Sequence, residues 1–209
     1  MKHKIKGIDG SLNAEVSGGY LLFKRVVDLI IAIAGLVITL PIIAITCAIV
    51  RLESKGNPIY KQKRVGLNNK EFNIYKIRSM VSNAESKGAQ WATKNDARVT
   101  SVGKFIRKTR IDELPQFFNI LKGDMTIIGP RPEREIFYKE FEKDIPNFRD
   151  RLLIKPGLTG YAQVHGGYDV MPKEKLDLDI YYIENVNLGL DIKIILQTAC
   201  IVVTGSGAR

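Results

Sequence analysis

The chain has 209 residues, with 32 Lys and Arg against 22 Asp and Glu, and a formal charge of +10. That length allows one domain with a real core, and the charge, with a pI near 9.6, points to an anionic partner: phosphorylated substrate, acidic lipid surface or nucleic acid. Cys47 and Cys200 have no ligand spacing, which excludes a disulfide framework and fits small buried hydrophobes of a reducing compartment.

Residues 1–19 are polar, contain glycine and show no sustained period, which predicts a mobile tail with Lys2, Lys4 and Lys6 available to acidic headgroups. From 29 to 50 there is no charged residue. As a helix this run is about 33 Å long, enough to cross a bilayer core of about 30 Å. It is too long for a signal-peptide core and no small-residue cleavage site follows it, so it is expected to remain in the mature protein. Lys24 and Arg25 precede the run, and Arg51 and Lys55 follow it. Basic flanks stay cytoplasmic, so both ends favour one side. Pro41 removes a backbone hydrogen bond and clashes with the carbonyl of Val37, predicting a kink, with Thr39 placed to satisfy the freed group. These residues alone leave two readings open: a re-entrant anchor over 20–52, and a single-pass helix with a tolerated proline.

Beyond the anchor, 58–65 and 71–77 alternate in the strand manner around Gly66-Leu67-Asn68-Asn69, a hairpin. A short helix is expected over 79–87, then a polar loop to 100 with Trp91 as its large anchor. From 101 onward helices dominate: one over 102–108, one over 114–121 capped by Gly123, one opened by Pro132 and running to 143, and one from Pro146 to 153. Pro156-Gly157 and Thr159-Gly160 break the chain before an extended piece over 161–164. Helices over 173–184 and about 190–203 follow, the last too short to span and suited to the core or the membrane interface. The expected fold class is α+β, mostly helical: an N-terminal anchor helix, a small β-hairpin and a helical region over 53–209, with amphipathic helices at the interface. There is no Walker loop, dinucleotide fingerprint or serine elbow, and no nucleic-acid pattern of interleaved basic and aromatic residues.

Four constellations can carry chemistry. Asp112-Glu113 follows the cations Lys104, Arg107, Lys108 and Arg110 and precedes Leu114-Pro115. As capping residues these acids would merely complement a helix dipole. As a site, one would attack phosphorus while the other holds a divalent metal, with nearby cations favouring their charged forms. In Gly129-Pro130-Arg131-Pro132-Glu133 two prolines limit the motion of Arg131, which could grip a phosphate in bidentate fashion beside a helix start; the plain alternative is a proline turn with an exposed arginine. Lys76-Ile77-Arg78-Ser79-Met80 puts Lys76 and Arg78 on one strand face, as a phosphate site or a solvated face. Lys155-Pro156-Gly157 with Thr159-Gly160-Tyr161 is the fourth, and His165 has no metal-spaced partner.

In their order and spacing these segments, with Phe23-Lys24-Arg25-Val26-Val27-Asp28, Val102-Gly103-Lys104-Phe105-Ile106-Arg107, Leu121-Lys122-Gly123-Asp124-Met125 and Leu178-Asp179-Ile180-Tyr181-Tyr182, resemble the bacterial sugar transferases, monotopic polyprenyl-phosphate phosphoglycosyl transferases, over 20–208. The resemblance implies transfer of a sugar-1-phosphate from a UDP-sugar to undecaprenyl phosphate, with release of UMP, at the cytoplasmic face of the bacterial inner membrane. It implies Asp112 as the nucleophile of a covalent phosphosugar intermediate, Glu113 as a ligand of Mg²⁺, and Lys76, Arg78, Lys104, Arg107, Arg131, Lys155 and Asp179 as candidates for phosphate or substrate binding. It also favours the re-entrant anchor, although the family's usual serine before the kinking proline is Leu40 here, with Thr39 one step back. His165-Gly166-Gly167-Tyr168 replaces the asparagine-glycine-arginine usual after Ala-Gln-Val, a difference that bears on sugar selection. A homodimer is the candidate assembly, and no nucleic acid is expected. Two other functions are kept for comparison: a non-catalytic basic adaptor docked on membranes, and a glycosyl transferase that releases UDP.

Overall fold

The computed structural model describes residues 2–7, 12–86, 88, 96–166 and 170–205. The expected mobile tail is instead a hairpin. β1 (Lys2–Lys6) and β2 (Asn13–Ser17) pair antiparallel, with Lys2 opposite Ser17 and Lys6 opposite Asn13. Its signal is a short period of two: Leu12, Ala14 and Val16 are buried, and Leu12 and Ala14 pack with Ile183.

α1 (Gly18–Glu53) follows directly and has 36 residues, a length of about 54 Å. Its buried residues Asp28, Ala32, Leu36, Ile43, Thr46 and Val50 recur at helical spacing and form one stripe. Ile33, Val37, Ile38, Ile45 and Ile49, on the rest of its surface, are exposed. Pro41 does not interrupt the helix. Thr39 does not take the expected role: its Oγ1 donates to the Gly35 carbonyl at 2.6 Å, not to that of Val37. Such back-bonding to the fourth residue behind tends to bend a helix.

The stripe is attached through polar groups as well as apolar ones. Tyr20 and Lys24 both donate to Asp191, at 2.7 and 2.6 Å. Arg25 donates to the carbonyls of Ile120 and Leu121. Buried Asp28 accepts from Thr126 Oγ1 at 2.6 Å and from the Ile127 amide at 2.9 Å. Further along, Leu36, Ile43 and Val50 pack with Ile77 and Ile106. One body of protein therefore runs along the helix from end to end.

β3 (Ile59–Val65) and β4 (Glu71–Ile77) form the expected hairpin, with Tyr60 opposite Lys76 and Arg64 opposite Phe72. Asn68 and Asn69 turn the chain with φ of 53° and 62°, a conformation that asparagine tolerates. The helix expected over 79–87 is not found in the described part of that stretch. Met80 bridges to Val99 and residues 82–86 are a turn, because the Ser79 carbonyl is already taken by the Thr100 amide at 3.1 Å. The expected Trp91 anchor lies outside the described residues.

α2 (Ser101–Lys108) is capped by Thr100, which accepts from the Gly103 amide, and by the Glu53 carboxylate, which accepts from Val102. A 3-10 turn (Ile111–Gln116) leads into α3 (Phe117–Lys122), ended by Gly123 at φ 87°. β5 (Thr126–Ile128) precedes α4 (Glu135–Phe141) and a 3-10 turn (Phe148–Leu153). β6 (Gly157–Thr159) pairs parallel to β5, and α5 (Tyr161–His165), α6 (Pro172–Glu184) and α7 (Leu188–Thr204) complete the order. Three expectations change here. Pro132 does not open a helix, since α4 starts at Glu135. The element from 146 to 153 is a 3-10 turn over its second part only. The piece over 161–164 is helical, because the Gly160 carbonyl accepts from both Gln163 and Val164, and the strand lies just before it. There Gly157 meets Gly129 so closely that a Cβ would stand 2.1 Å from the Gly129 nitrogen.

Ala32 of α1, Ile74 of β4, Ile120 of α3, Ile127 and Ile128 of β5 and Ile194 of α7 share one core cluster. Asp28→Ala would strip the acceptor from the buried Ile127 amide, and should lower stability by about 2–3 kcal/mol. Thermal unfolding in detergent measures this, and an unchanged midpoint would show that the contact carries no weight.

Candidate active site

α2 ends where the Thr109 hydroxyl donates to the Phe105 carbonyl. Arg110 then takes a left-handed φ of 57°, rare for a residue of this size, and turns the chain into the 3-10 segment. Asp112 and Glu113 thus stand inside the first turn of that segment, whereas a helix from residue 114 would leave them ahead of its start.

Glu113 is gripped by two cations from remote parts of the chain. Lys76 Nζ from β4 and Arg131 Nη2 from the segment after β5 both meet Glu113 Oε1, the lysine at 2.8 Å. Burial alone would raise the Glu113 pKa, but Arg131 and Lys76 outweigh it and hold the carboxyl well below the usual carboxylate range. Asp112 is only 6% exposed. Burial pushes its carboxyl up to about 6 against the pull of Lys76; Glu113 adds to the rise, and Arg107 and Arg131 oppose it. Arg107, from the last turn of α2, donates through Nε to Ser79 Oγ at 2.8 Å, which fixes its direction. The result is one firmly ionised acid beside one whose ionisation is finely balanced.

The other expected binding residues lie elsewhere. Arg78 is buried beyond the end of β4 and donates to the carbonyls of Ser54 and Lys55, closing the end of α1; it has left the strand face that Lys76 uses. Asp179 is buried in an ion pair with Arg151 at 2.6 Å, not presented to a substrate. Lys155 is half-buried, and desolvation together with Arg25 holds its ammonium below the usual range. Lys104 is exposed on α2. His165 stacks on Tyr161 at 3.9 Å, and Gly167 and Tyr168 lie outside the described residues. Sequence reasoning passed over Ser79 as an anchor for Arg107, and Arg64, Arg151 and Lys175 behind the Arg131 segment. The period of two along β3 was the available signal for Arg64.

Among the described residues no group of three or more His, Cys, Asp or Glu gathers as a metal cluster. The adjacent carboxylates still fit a hard dication. Mg²⁺ is commonly bound by one or two carboxylates with water and substrate phosphate oxygens supplying the rest.

An apolar helix long enough to cross a bilayer packs on a domain in which buried Asp112 and half-buried Glu113 stand among cations. Residues 19–205 match the bacterial sugar transferase family, and the chain belongs to it. A UDP-N-acetylgalactosamine-undecaprenyl-phosphate N-acetylgalactosaminephosphotransferase of Aeromonas hydrophila is 46% identical over 193 residues, covering 91% of this chain and 46% of that protein. A putative undecaprenyl-phosphate N-acetylgalactosaminyl 1-phosphate transferase of Bacillus subtilis is 54% identical over 139 residues, 66% of this chain and 78% of that one. A UDP-glucose:undecaprenyl-phosphate glucose-1-phosphate transferase of Klebsiella pneumoniae is 38% identical over 191 residues, 89% of this chain and 41% of that one. The chain thus spans less than half the length of the Aeromonas and Klebsiella relatives. The β1–β2 hairpin precedes the matched region.

Because the Asp112 pKa lies above its ordinary value of 3.8, ionised Asp112 opposes folding. Below pH about 4 the penalty is absent, and it grows as pH rises through about 6. Asp112→Asn should therefore be more stable than the parent at pH 7.5, by about 2–3 kcal/mol, with the gain shrinking towards pH 4. Denaturation across that pH series measures it; equal stability at pH 7.5 would mean that Asp112 ionises freely.

Proposed function

We propose that the protein is a phosphoglycosyl transferase that moves a sugar-1-phosphate from a UDP-sugar to undecaprenyl phosphate. An Asp112 carboxylate oxygen attacks the phosphorus bearing the sugar. The bond from that phosphorus to the bridging oxygen breaks, UMP leaves with the oxygen, and an aspartyl-phosphosugar remains. A phosphate oxygen of undecaprenyl phosphate then attacks the same phosphorus, the bond to Asp112 breaks, and the carboxylate is restored. Phosphoryl transfer depends mostly on positioning and charge neutralisation. Lys76, Arg107 and Arg131 are placed to supply both, and Glu113, fixed by two of them, has its orientation set before substrate arrives. Mg²⁺, held by Glu113 beside Asp112, would add charge neutralisation on the pyrophosphate.

The observation that carries this reading is the acid pair itself: Asp112 is buried among Lys76, Arg107 and Arg131, and the Arg107 side chain and the Arg131 backbone are fixed by further hydrogen bonds. A basic membrane adaptor would gain nothing from burying two carboxylates beneath its cations. The names of the Aeromonas and Klebsiella relatives support undecaprenyl phosphate as acceptor and a UDP-sugar as donor. The product nucleotide separates this reaction from simple glycosyl transfer, which would release UDP.

With a panel of UDP-sugars and undecaprenyl phosphate, the protein should release UMP, and Asp112→Asn should lose at least about a thousandfold in rate. The rate should rise with pH through about 6 as Asp112 ionises. Lys76→Met should move that limb upward, because Lys76 is the strongest influence holding the Asp112 pKa down. Release of UDP, or full activity in Asp112→Asn, would reject the mechanism.

We further propose that α1 dips into the cytoplasmic leaflet and returns. Lys24 at its start and Glu53 at its end are both joined to the same domain, to Asp191 and to Val102, so a full crossing would draw that charged domain into hydrocarbon. Cysteines introduced at Lys4 and Asn68 should be labelled from the same side of the membrane; labelling from opposite sides would reject the dip.

A further inference from the structure

Arg131 lies in an extended segment between β5 and α4, with no regular element to fix its place. Four consecutive carbonyls of that segment are nevertheless held. Pro130 accepts from the Gly157 amide at 3.0 Å and Glu133 from the Val65 amide at 2.9 Å. Between them, Arg131 accepts from Arg151 Nη2 at 2.9 Å and Pro132 from Arg64 Nη1 at 3.0 Å. Two of these four donors, Arg64 and Val65, are neighbours at the end of β3.

Arg64 Nη1 also meets Glu133 Oε2 at 3.0 Å, while Lys175 from α6 meets the other oxygen. Glu133 is buried with a cation on each oxygen. A buried ion pair of this kind seldom adds net stability over apolar packing, because both charges must be desolvated. Its value here is direction: one guanidinium holds both the Pro132 carbonyl and the Glu133 side chain.

The same hairpin carries the second cation of the site. Arg64 stands opposite Phe72, and Tyr60 opposite Lys76. Side chains alternate along a strand, so Arg64 and Lys76 share one face, about 13 Å apart along it. From that face Lys76 reaches Glu113 directly, and Arg64 reaches the segment bearing Arg131. We infer that Arg64 and Glu133 are positioning residues: their ion pair registers the Arg131 segment against the hairpin that carries Lys76, so that both cations converge on Glu113. This rests on the role proposed above for Glu113 and its two cations.

A double-mutant cycle on the full chain, assayed by UMP release from the UDP-sugar that the parent uses, tests it. Arg64→Lys keeps the charge but loses the fork, and Glu133→Gln keeps an acceptor but loses the ion pair. Each should lower kcat/KM about tenfold and raise KM for the UDP-sugar, and Arg131→Lys should lower kcat/KM about a hundredfold. The Arg64→Lys/Arg131→Lys double variant should fall no more than about threefold below Arg131→Lys alone. A smaller folded fraction would reduce kcat without moving KM, and its effect would multiply with the Arg131 loss. If Glu133→Gln does not accumulate, the charge-preserving Arg64→Lys arm still decides. Multiplying losses, or parental kinetics in Arg64→Lys, would overturn the inference and leave the proposed reaction standing. Parental kinetics in Arg131→Lys would overturn the inference together with the role given to Arg131.

Discussion

A single carboxylate oxygen, Oε1 of Glu113, accepts both Lys76 and Arg131, and the surrounding architecture is organised to bring those two cations to it. The residues are 37 and 18 positions away in sequence, so the contact requires three separate stretches of chain to meet. Each is held by its own devices: a strand pair for Lys76, a turn begun by left-handed Arg110 for Glu113, and gripped carbonyls for Arg131. Burying one acid and two bases is expensive in desolvation. The hydrophobic stripe of α1, packed on β4, α2 and α3, offsets this by closing a core directly behind the site.

The neighbouring acid sits in a different environment. Asp112 and Glu113 are adjacent, yet their environments push their proton affinities in opposite directions. Separating the two acids in this way suits them to different chemical duties. A carboxylate with two cations on one oxygen is a poor nucleophile and a good fixed charge. Its neighbour is recessed and, among the described residues, has no cation at contact distance, which suits the nucleophilic role proposed for it.

Much of this was legible before the fold was known. The charge-free run is a helix, the alternation around Asn68 is a hairpin, and Lys76, Asp112, Glu113 and Arg131 meet in space, since each was marked by local chemistry or a distinctive spacing. What failed has identifiable causes. The N-terminal hairpin hid behind its lysines, since among the described residues its buried set is only Leu12, Ala14 and Val16. Pro132 looked like a helix start, but its carbonyl and those around it are committed to tertiary partners. Arg78 and Asp179 looked like binding residues because charge at a motif suggests a ligand. Their partners, the end of α1 for one and Arg151 for the other, are distant in sequence and leave no periodic trace.

The attachment of α1 to the last helix has a consequence for how the chain is made. Tyr20 and Lys24 are joined to Asp191 across 171 and 167 residues. At a synthesis rate of roughly 5–20 residues per second, roughly 10–30 s separate the emergence of α1 from that of its partner. During that interval the most apolar helix of the protein has no complete stripe to pack against. A lipid surface is the natural place for it to wait, and its basic first turns would keep it at headgroup depth. The ion pair to Asp191 then acts as a closing step, available only once that residue has been made.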